Sequence, residues 1–159
     1  MNLTIVIYAQ SEATFLKVKS RQELLGITEN LIWCNAANTE RSQVINENLN
    51  TWLLFIDHDC ELSRENISYI QLIIAKDAGA SNKVYAGLYV DSIDSTYLQR
   101  GHNFIANNWL LQSYESSESG PLILGGVFLV KANKEISRHK DGLFWGAEDK
   151  ALSYELLNS

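Results

Sequence analysis

An unbroken apolar run that ends in two carboxylates constrains this 159-residue chain most strongly. Residues 52–56 are five consecutive bulky apolar residues, a pattern typical of a strand covered on both faces of a parallel sheet. Asp57 and Asp59 follow directly, and residues i and i+2 of an extended chain point the same way, so both are expected at one edge of the sheet. Two such carboxylates repel each other unless a cation joins them, so the pair predicts a site for a divalent ion and a phosphate group.

Strand and helix patterns alternate along the chain and predict an α/β fold. Strands are predicted at residues 3–8, 31–34, 52–56, 83–90 and 122–131, and helices after Ser11, through Val44, Ile45 and Leu49, after Ser63, and at residues 148–157. The first helix is expected to turn Phe15, Leu16, Val18, Leu24 and Leu25 inward. Residues 91–120, which are rich in turn formers, predict a long loop with one short helix near Trp109. Alternation of this kind predicts a single domain over residues 1–159 with a mainly parallel central sheet flanked by helices.

Composition narrows the classes of partner and compartment. The net charge is −6 and the pI is about 5.0, which argues against a nucleic-acid partner because backbone binding needs clustered Lys and Arg. No apolar run reaches the ~18 residues of a membrane span, and residues 1–7 carry no basic segment, so we expect no transmembrane segment, no secretory signal and a cytoplasmic location. Cys34 and Cys60 are expected to be reduced thiols, with a bridge between them left open.

A second acidic pair lies near the end of the sequence. Glu148 and Asp149 follow an aromatic-glycine turn and begin a predicted helix, whose dipole favours their ionised forms. Either carboxylate could therefore accept a proton from a hydroxyl nucleophile. Taken alone, each acidic motif also has a plain structural explanation, since acids commonly begin helices and Asp commonly follows strands.

Together and in this order, the segments 53–59, 125–131 and 145–149 resemble the nucleotide-diphospho-sugar glycosyltransferases of the GT-A fold, especially family two. The resemblance covers nearly the whole chain. It implies that the strand-end Asp-x-Asp binds the donor diphosphate and a Mn²⁺ or Mg²⁺ ion, with Asp59 as the usual direct ligand and Asp57 beside it.

The same resemblance implies roles for the remaining site residues. Asp149 would be the catalytic base, Glu148 an acceptor-binding or supporting carboxylate, and Trp145 the floor of the acceptor pocket. The donor and its nucleotide would be bound by Ala9, Gln10, Asn35, Arg41, Asp57, His58 and Gly126. For His58 a packing or donor-ribose role is favoured. A strand bulge would explain the Gly125-Gly126 pair as well as a close approach of backbone to sugar does.

The chain departs from the family in three places. Residues 8–11 read Tyr-Ala-Gln-Ser where the family has Pro-Thr-Tyr-Asn, and Asn35 stands where an aspartate bonds the base. The family also has one helix-strand unit before the segment that matches Arg41, and this chain lacks it, so the resemblance implies a short form that has lost one sheet edge. The missing edge leaves open pairing between subunits in a homo-oligomer.

The implied activity is metal-dependent, inverting transfer of a sugar from a nucleotide-diphosphate donor, expected to be a UDP-sugar, to a hydroxyl. The acceptor is left open among a glycan, a lipid-linked group and a protein. An alternative is a trimmed, inactive relative that binds a nucleotide sugar or a protein partner. A sugar-nucleotide pyrophosphorylase is set aside, because residues 8–11 do not form a glycine-rich, basic loop.

Overall fold

The computed structural model describes residues 2–39, 41–77, 84–91, 94–116 and 126–133. The described strands are β1 (Leu3–Ala9), β2 (Asn30–Asn35), β3 (Trp52–Asp57), β4 (Val84–Ala86) and β5 (Val127–Lys131). The described helices are α1 (Glu12–Leu24), α2 (Arg41–Glu47), α3 (Arg64–Lys76) and α4 (Tyr97–Ser116). The predicted α/β class is confirmed.

The described strands form one sheet in the order β2-β1-β3-β5-β4. β1 pairs in parallel with β2 and β3, whereas β5 pairs antiparallel with β3 and β4. The prediction of a mainly parallel sheet is therefore wrong: the sheet is mixed. Apolar periodicity indicates which residues form a strand, but it carries no information on direction, and β5 enters between β3 and β4 in the opposite direction.

Alternation of side chains along the central strands gives the sheet two buried faces. On one face Ile5, Ile7, Leu54 and Ile56 pack with Val18 of α1 and with Ile67 and Ile74 of α3. On the other face Val6, Leu53 and Phe55 pack with Val44 and Ile45 of α2. Phe55 stacks on Phe128 of β5 with ring centroids 4.7 Å apart, which locks β3 to β5 at register partners.

Two predicted helix starts are confirmed. The Ser11 hydroxyl accepts from the Thr14 amide at 3.2 Å. Ser63 forms a capping box with Asn66, in which each side chain accepts from the other residue's amide, at 3.2 and 2.8 Å.

The predicted inner face of α1 is only partly right. Val18 and Gln22 are its buried residues, whereas Leu16, Leu24 and Leu25 are exposed. A polar glutamine therefore occupies a core position that the apolar pattern did not indicate.

The prediction of a long loop over residues 91–120 is wrong in extent, because residues 97–116 form helix α4; the one short helix expected near Trp109 is part of this longer helix. The start of α4 carries a capping box: the Thr96 hydroxyl accepts from the Gln99 amide at 3.3 Å, and the Gln99 side chain accepts from the Thr96 amide at 2.8 Å. The predicted fourth strand is shorter than expected, and residues 122–125 and the predicted helix at 148–157 lie outside the described residues.

A matched pair of glycine substitutions tests the ends and interiors of these helices. Gly26 has φ of +80° and closes α1, where its amide and that of Ile27 donate to the carbonyls of Glu23 and Gln22 at 2.9 and 3.0 Å. We expect Gly26→Ala to lower the free energy of unfolding by about 1 kcal/mol, because an L side chain is strained at that φ. Gly101→Ala, whose Cβ would meet no atom of the described chain within 4 Å, should instead raise it by about 0.5–1 kcal/mol. Urea denaturation measures both values, and a shift of the same sign in both variants would contradict the assignment.

Candidate functional site

The connections that leave β1 and β3 run to opposite sides of the sheet. β1 is followed by β2 on one side, and β3 is followed by β4 beyond β5 on the other, although β1 and β3 are neighbours. In open α/β sheets, ligands bind in the crevice outside the carboxyl ends of two such strands. Tyr8 and Asp57 are register partners at these ends, so the acidic segment lies at the crevice.

Arg41 and Asp57, two predicted donor-binding residues, contact each other. An Arg41 guanidinium nitrogen lies 3.4 Å from Asp57 Oδ1, and the guanidinium stacks 3.9 Å above the centroid of the Tyr8 ring. The Arg41 side chain is 6% exposed and that of Asp57 is 32% exposed. Arg41 is thus a buried partner of Asp57 in this arrangement, and the predicted contact with a phosphate or the base of the donor would require it to move.

Asp59 is in a different environment from Asp57. Asp59 and His58 are exposed, immediately after the end of β3. Burial, together with the nearby charges of Asp59 and Asp57, raises the pKa of the neighbouring Cys60 thiol to about 12. Both carboxylates therefore lie close to the Cys60 thiol, and Asp59 is the more exposed of the two and so the one that a ligand can reach.

The residues after β1 and β2 are largely engaged in contacts within the protein. The Ala9 carbonyl accepts from the Trp33 indole at 2.9 Å and from the Ala36 amide at 3.0 Å. The Asn35 side-chain oxygen accepts from the Ala37 amide at 3.0 Å, which closes a local turn. Gln10 is exposed. Of the predicted donor contacts on this side, Gln10 is therefore the side chain most open to solvent.

Gly126 lies directly against the acidic segment. Its carbonyl accepts from the Asp57 amide at 2.9 Å and from the Cys60 thiol at 3.5 Å. The phenol of Tyr89 fills the space that a Cβ on Gly126 would need. Because glycine has no side chain, the Tyr89 ring can pack directly against the Gly126 backbone.

Tyr89 is a site residue that the sequence did not indicate, because its segment was predicted to be strand. Asn107 of α4 holds it by accepting from the Tyr89 amide at 2.8 Å and donating to the Tyr89 carbonyl at 2.7 Å. The Tyr89 ring also meets His102 edge to face. The segment that follows β4 therefore brings a phenol to Gly126, next to Asp57 and Cys60.

The carboxylates at this edge of the sheet suit a metal site in which the substrate supplies some of the ligands. Within the part of the chain that the structure describes, no three His, Cys, Asp or Glu side chains come together as a metal-binding group. Mg²⁺ and similar ions are often bound by one or two carboxylates together with substrate phosphates and water. An exposed Asp59 is compatible with an ion that arrives with a diphosphate, and it does not amount to a metal cage built by protein alone.

Three predicted site residues, Asp149, Glu148 and Trp145, lie outside the described residues. Of the predicted site residues that the structure describes, Arg41, Asp57 and Gly126 lie together.

No protein-family model matches the chain, and a search of curated proteins finds no significant match. No helix among the described residues combines the length and hydropathy that a bilayer crossing requires.

The reactivity of Cys60 provides a test of the local electrostatics. Both cysteines are free thiols, so a Cys34→Ala background leaves Cys60 as the single thiol. We expect iodoacetamide to alkylate Cys60 about 10²–10³-fold more slowly at pH 8 than an ordinary cysteine, because the thiolate is the nucleophile and the pKa is raised from 9.0 to about 12. The rate should continue to rise above pH 10, where a thiol with the ordinary pKa of 9.0 has almost reached its plateau, and Asp59→Asn should increase the rate at a given pH. A rate that reaches its plateau near pH 10 would contradict the raised pKa.

Proposed function

We propose that this protein is a metal-dependent, inverting glycosyltransferase that moves a sugar from a nucleotide-diphosphate donor to an acceptor hydroxyl. The observation that supports the proposal most is the position of residues 57–59 outside the carboxyl ends of β1 and β3, with Asp59 open to solvent. A uridine-diphosphate sugar is the first donor to test, because that is the class the family resemblance implies.

The donor is proposed to bind across the same edge. Asp59 would hold the cation that accompanies the diphosphate, and Asp57, neutralised on one side by Arg41, would lie beside it. The cation, Mn²⁺ or Mg²⁺, supplies stabilisation of negative charge on the leaving diphosphate. Tyr89 is proposed to border the sugar end of the donor, because its phenol lies against Gly126.

Transfer requires one base and one leaving group. In the proposed reaction Asp149 takes the proton of the acceptor hydroxyl, and the hydroxyl oxygen bonds to the anomeric carbon. The bond from that carbon to the diphosphate oxygen breaks, and the oxygen keeps the electron pair. Attack from the face opposite the leaving group inverts the anomeric configuration.

A second candidate is a domain that binds nucleotide sugar, or a protein partner, without catalysis. Three expected nucleotide contacts favour this candidate because they are occupied within the protein: the Ala9 carbonyl and the Asn35 side chain accept hydrogen bonds from neighbouring residues, and Arg41 is buried against Asp57. Such a domain would bind a nucleotide diphosphate weakly and would release no product from any donor.

One assay separates the two candidates. The purified chain is incubated with a panel of nucleotide sugars, with and without Mn²⁺, and release of nucleoside diphosphate is measured alongside binding. Metal-dependent release from at least one donor supports the transferase. Binding without release supports the second candidate as a domain that binds nucleotide sugar. Absence of both binding and release with every donor contradicts the transferase and nucleotide-sugar binding, and favours a protein partner.

A further inference from the structure

Gln22 is a fully buried polar side chain that joins helix α1 to the segment after the acidic motif. It is 0% exposed. Its Nε2 donates to the Cys60 carbonyl at 3.2 Å, and its Oε1 accepts from the Leu62 amide at 3.3 Å. Both ends of one side-chain amide therefore bind the backbone just beyond Asp59.

Burial of an amide is unfavourable unless both its donor and its acceptor are satisfied. The neighbouring buried residues of this face are apolar, and a methionine would fill the same length of core without a polar group. A glutamine suits this position because its side-chain amide has one donor for the Cys60 carbonyl and one acceptor for the Leu62 amide. Gln22 and the backbone of residues 60–62 thus fix each other's conformation.

The preceding residue, Arg21, holds the same segment from the solvent side. One guanidinium nitrogen lies 3.0 Å from the Glu61 carboxylate, and another donates to the His58 carbonyl at 3.4 Å. Two consecutive helical residues thus contact positions 58, 60, 61 and 62. A helix is a rigid support for a binding segment, since its own backbone is fixed by its hydrogen bonds.

We propose that Gln22, assisted by Arg21, is a positioning residue that fixes residues 58–62 so that the Asp59 carboxylate is held for the cation accompanying a diphosphate. This inference rests on the proposed function. Neither residue contacts the ligand in this proposal, and both act through the backbone on either side of Asp59.

The test compares Mn²⁺-dependent affinity for uridine diphosphate in the wild type and in Gln22→Met, by isothermal titration with and without the metal. We expect Gln22→Met to reduce the increment that Mn²⁺ adds to the affinity by about 10–100-fold, the usual effect of losing a group that orients a metal ligand. Affinity without metal should be unchanged. Hydrogen exchange at the Leu62 amide should become faster, because its acceptor is lost.

Arg21→Ala provides a second variant on a partly exposed side chain, in case Gln22→Met fails to fold, and Gln71→Met on the exposed side of α3 is the matched control. Arg21→Ala should reduce the increment in the same direction, and Gln71→Met should leave it unchanged. A wild type without Mn²⁺-dependent binding contradicts the proposed function and this inference together. An increment present in the wild type and unchanged in both Gln22→Met and Arg21→Ala overturns the inference alone, even if stability falls.

Discussion

Replacement of Asp149 by asparagine is expected to lower turnover by about 10²–10⁴-fold, the usual contribution of a positioned general base. Asparagine keeps the size of the side chain but cannot take the proton from the acceptor hydroxyl. The loss should lie in kcat, because the donor is proposed to bind at the other acidic motif. Initial rates of nucleoside diphosphate release, measured at saturating donor with and without acceptor, provide the readout.

Glu148→Gln is the matched control for this substitution, since it removes a neighbouring charge in the same way. We expect a smaller effect on kcat and a larger effect on the KM of the acceptor, in line with a supporting role. Full turnover in Asp149→Asn would exclude Asp149 as the base. A loss of donor affinity in Asp149→Asn as large as the loss of kcat would indicate a role in folding or donor binding instead.

Substitution of Asp59 by asparagine is expected to remove most of the effect of Mn²⁺ on uridine diphosphate affinity, by about a hundredfold or more. Loss of a group that merely orients a ligand costs 10–100-fold, and a direct ligand should cost at least as much. Asp57 is not expected to compensate, because one of its oxygens is engaged by the buried Arg41. Calorimetric titration with and without Mn²⁺ measures the change.

Glu65→Gln is the control for charge, because Glu65 is an exposed acid in the first turn of α3, a short distance along the chain from Asp59. It removes one negative charge and should leave the metal dependence unchanged. A metal effect that persists in Asp59→Asn would show that Asp59 is not the ligand. Equal losses in both variants would indicate general electrostatics in place of a specific site.

The sequence was most informative where local chemistry decides the structure. The apolar run at residues 52–56 predicted a strand buried on both faces, and all five residues are buried. Ser11 and Ser63 marked the starts of α1 and α3, since a hydroxyl before an apolar helical pattern is a local signal. These features depend only on neighbouring residues.

Direction and partner choice were much harder to predict. Nothing in the apolar pattern of β5 distinguishes a parallel strand from an antiparallel one, so the mixed sheet was missed. Most of helix α4 was predicted as loop, with only a short helix near Trp109, because Gly101 and several asparagines weaken its helical pattern, although Thr96 and Gln99 carried a capping-box signal.

The candidate site was predictable in position and only partly in its contacts. Two acids after a buried strand were sufficient to predict an acidic edge of the sheet. The pairing of Arg41 with Asp57 and the packing of Tyr89 on Gly126 join residues far apart in sequence, and such contacts follow from tertiary structure alone. Gln22 was overlooked for the same reason, because its partners lie about 40 residues further along the chain.

A crystal structure of the chain with uridine diphosphate and Mn²⁺ would show where the donor and its ion bind. We expect the diphosphate outside the carboxyl ends of β1 and β3, with the ion bound by the Asp59 carboxylate and with the Asp149 carboxylate across the same cleft. A diphosphate bound elsewhere, or an ion without Asp59 among its ligands, would contradict this expectation.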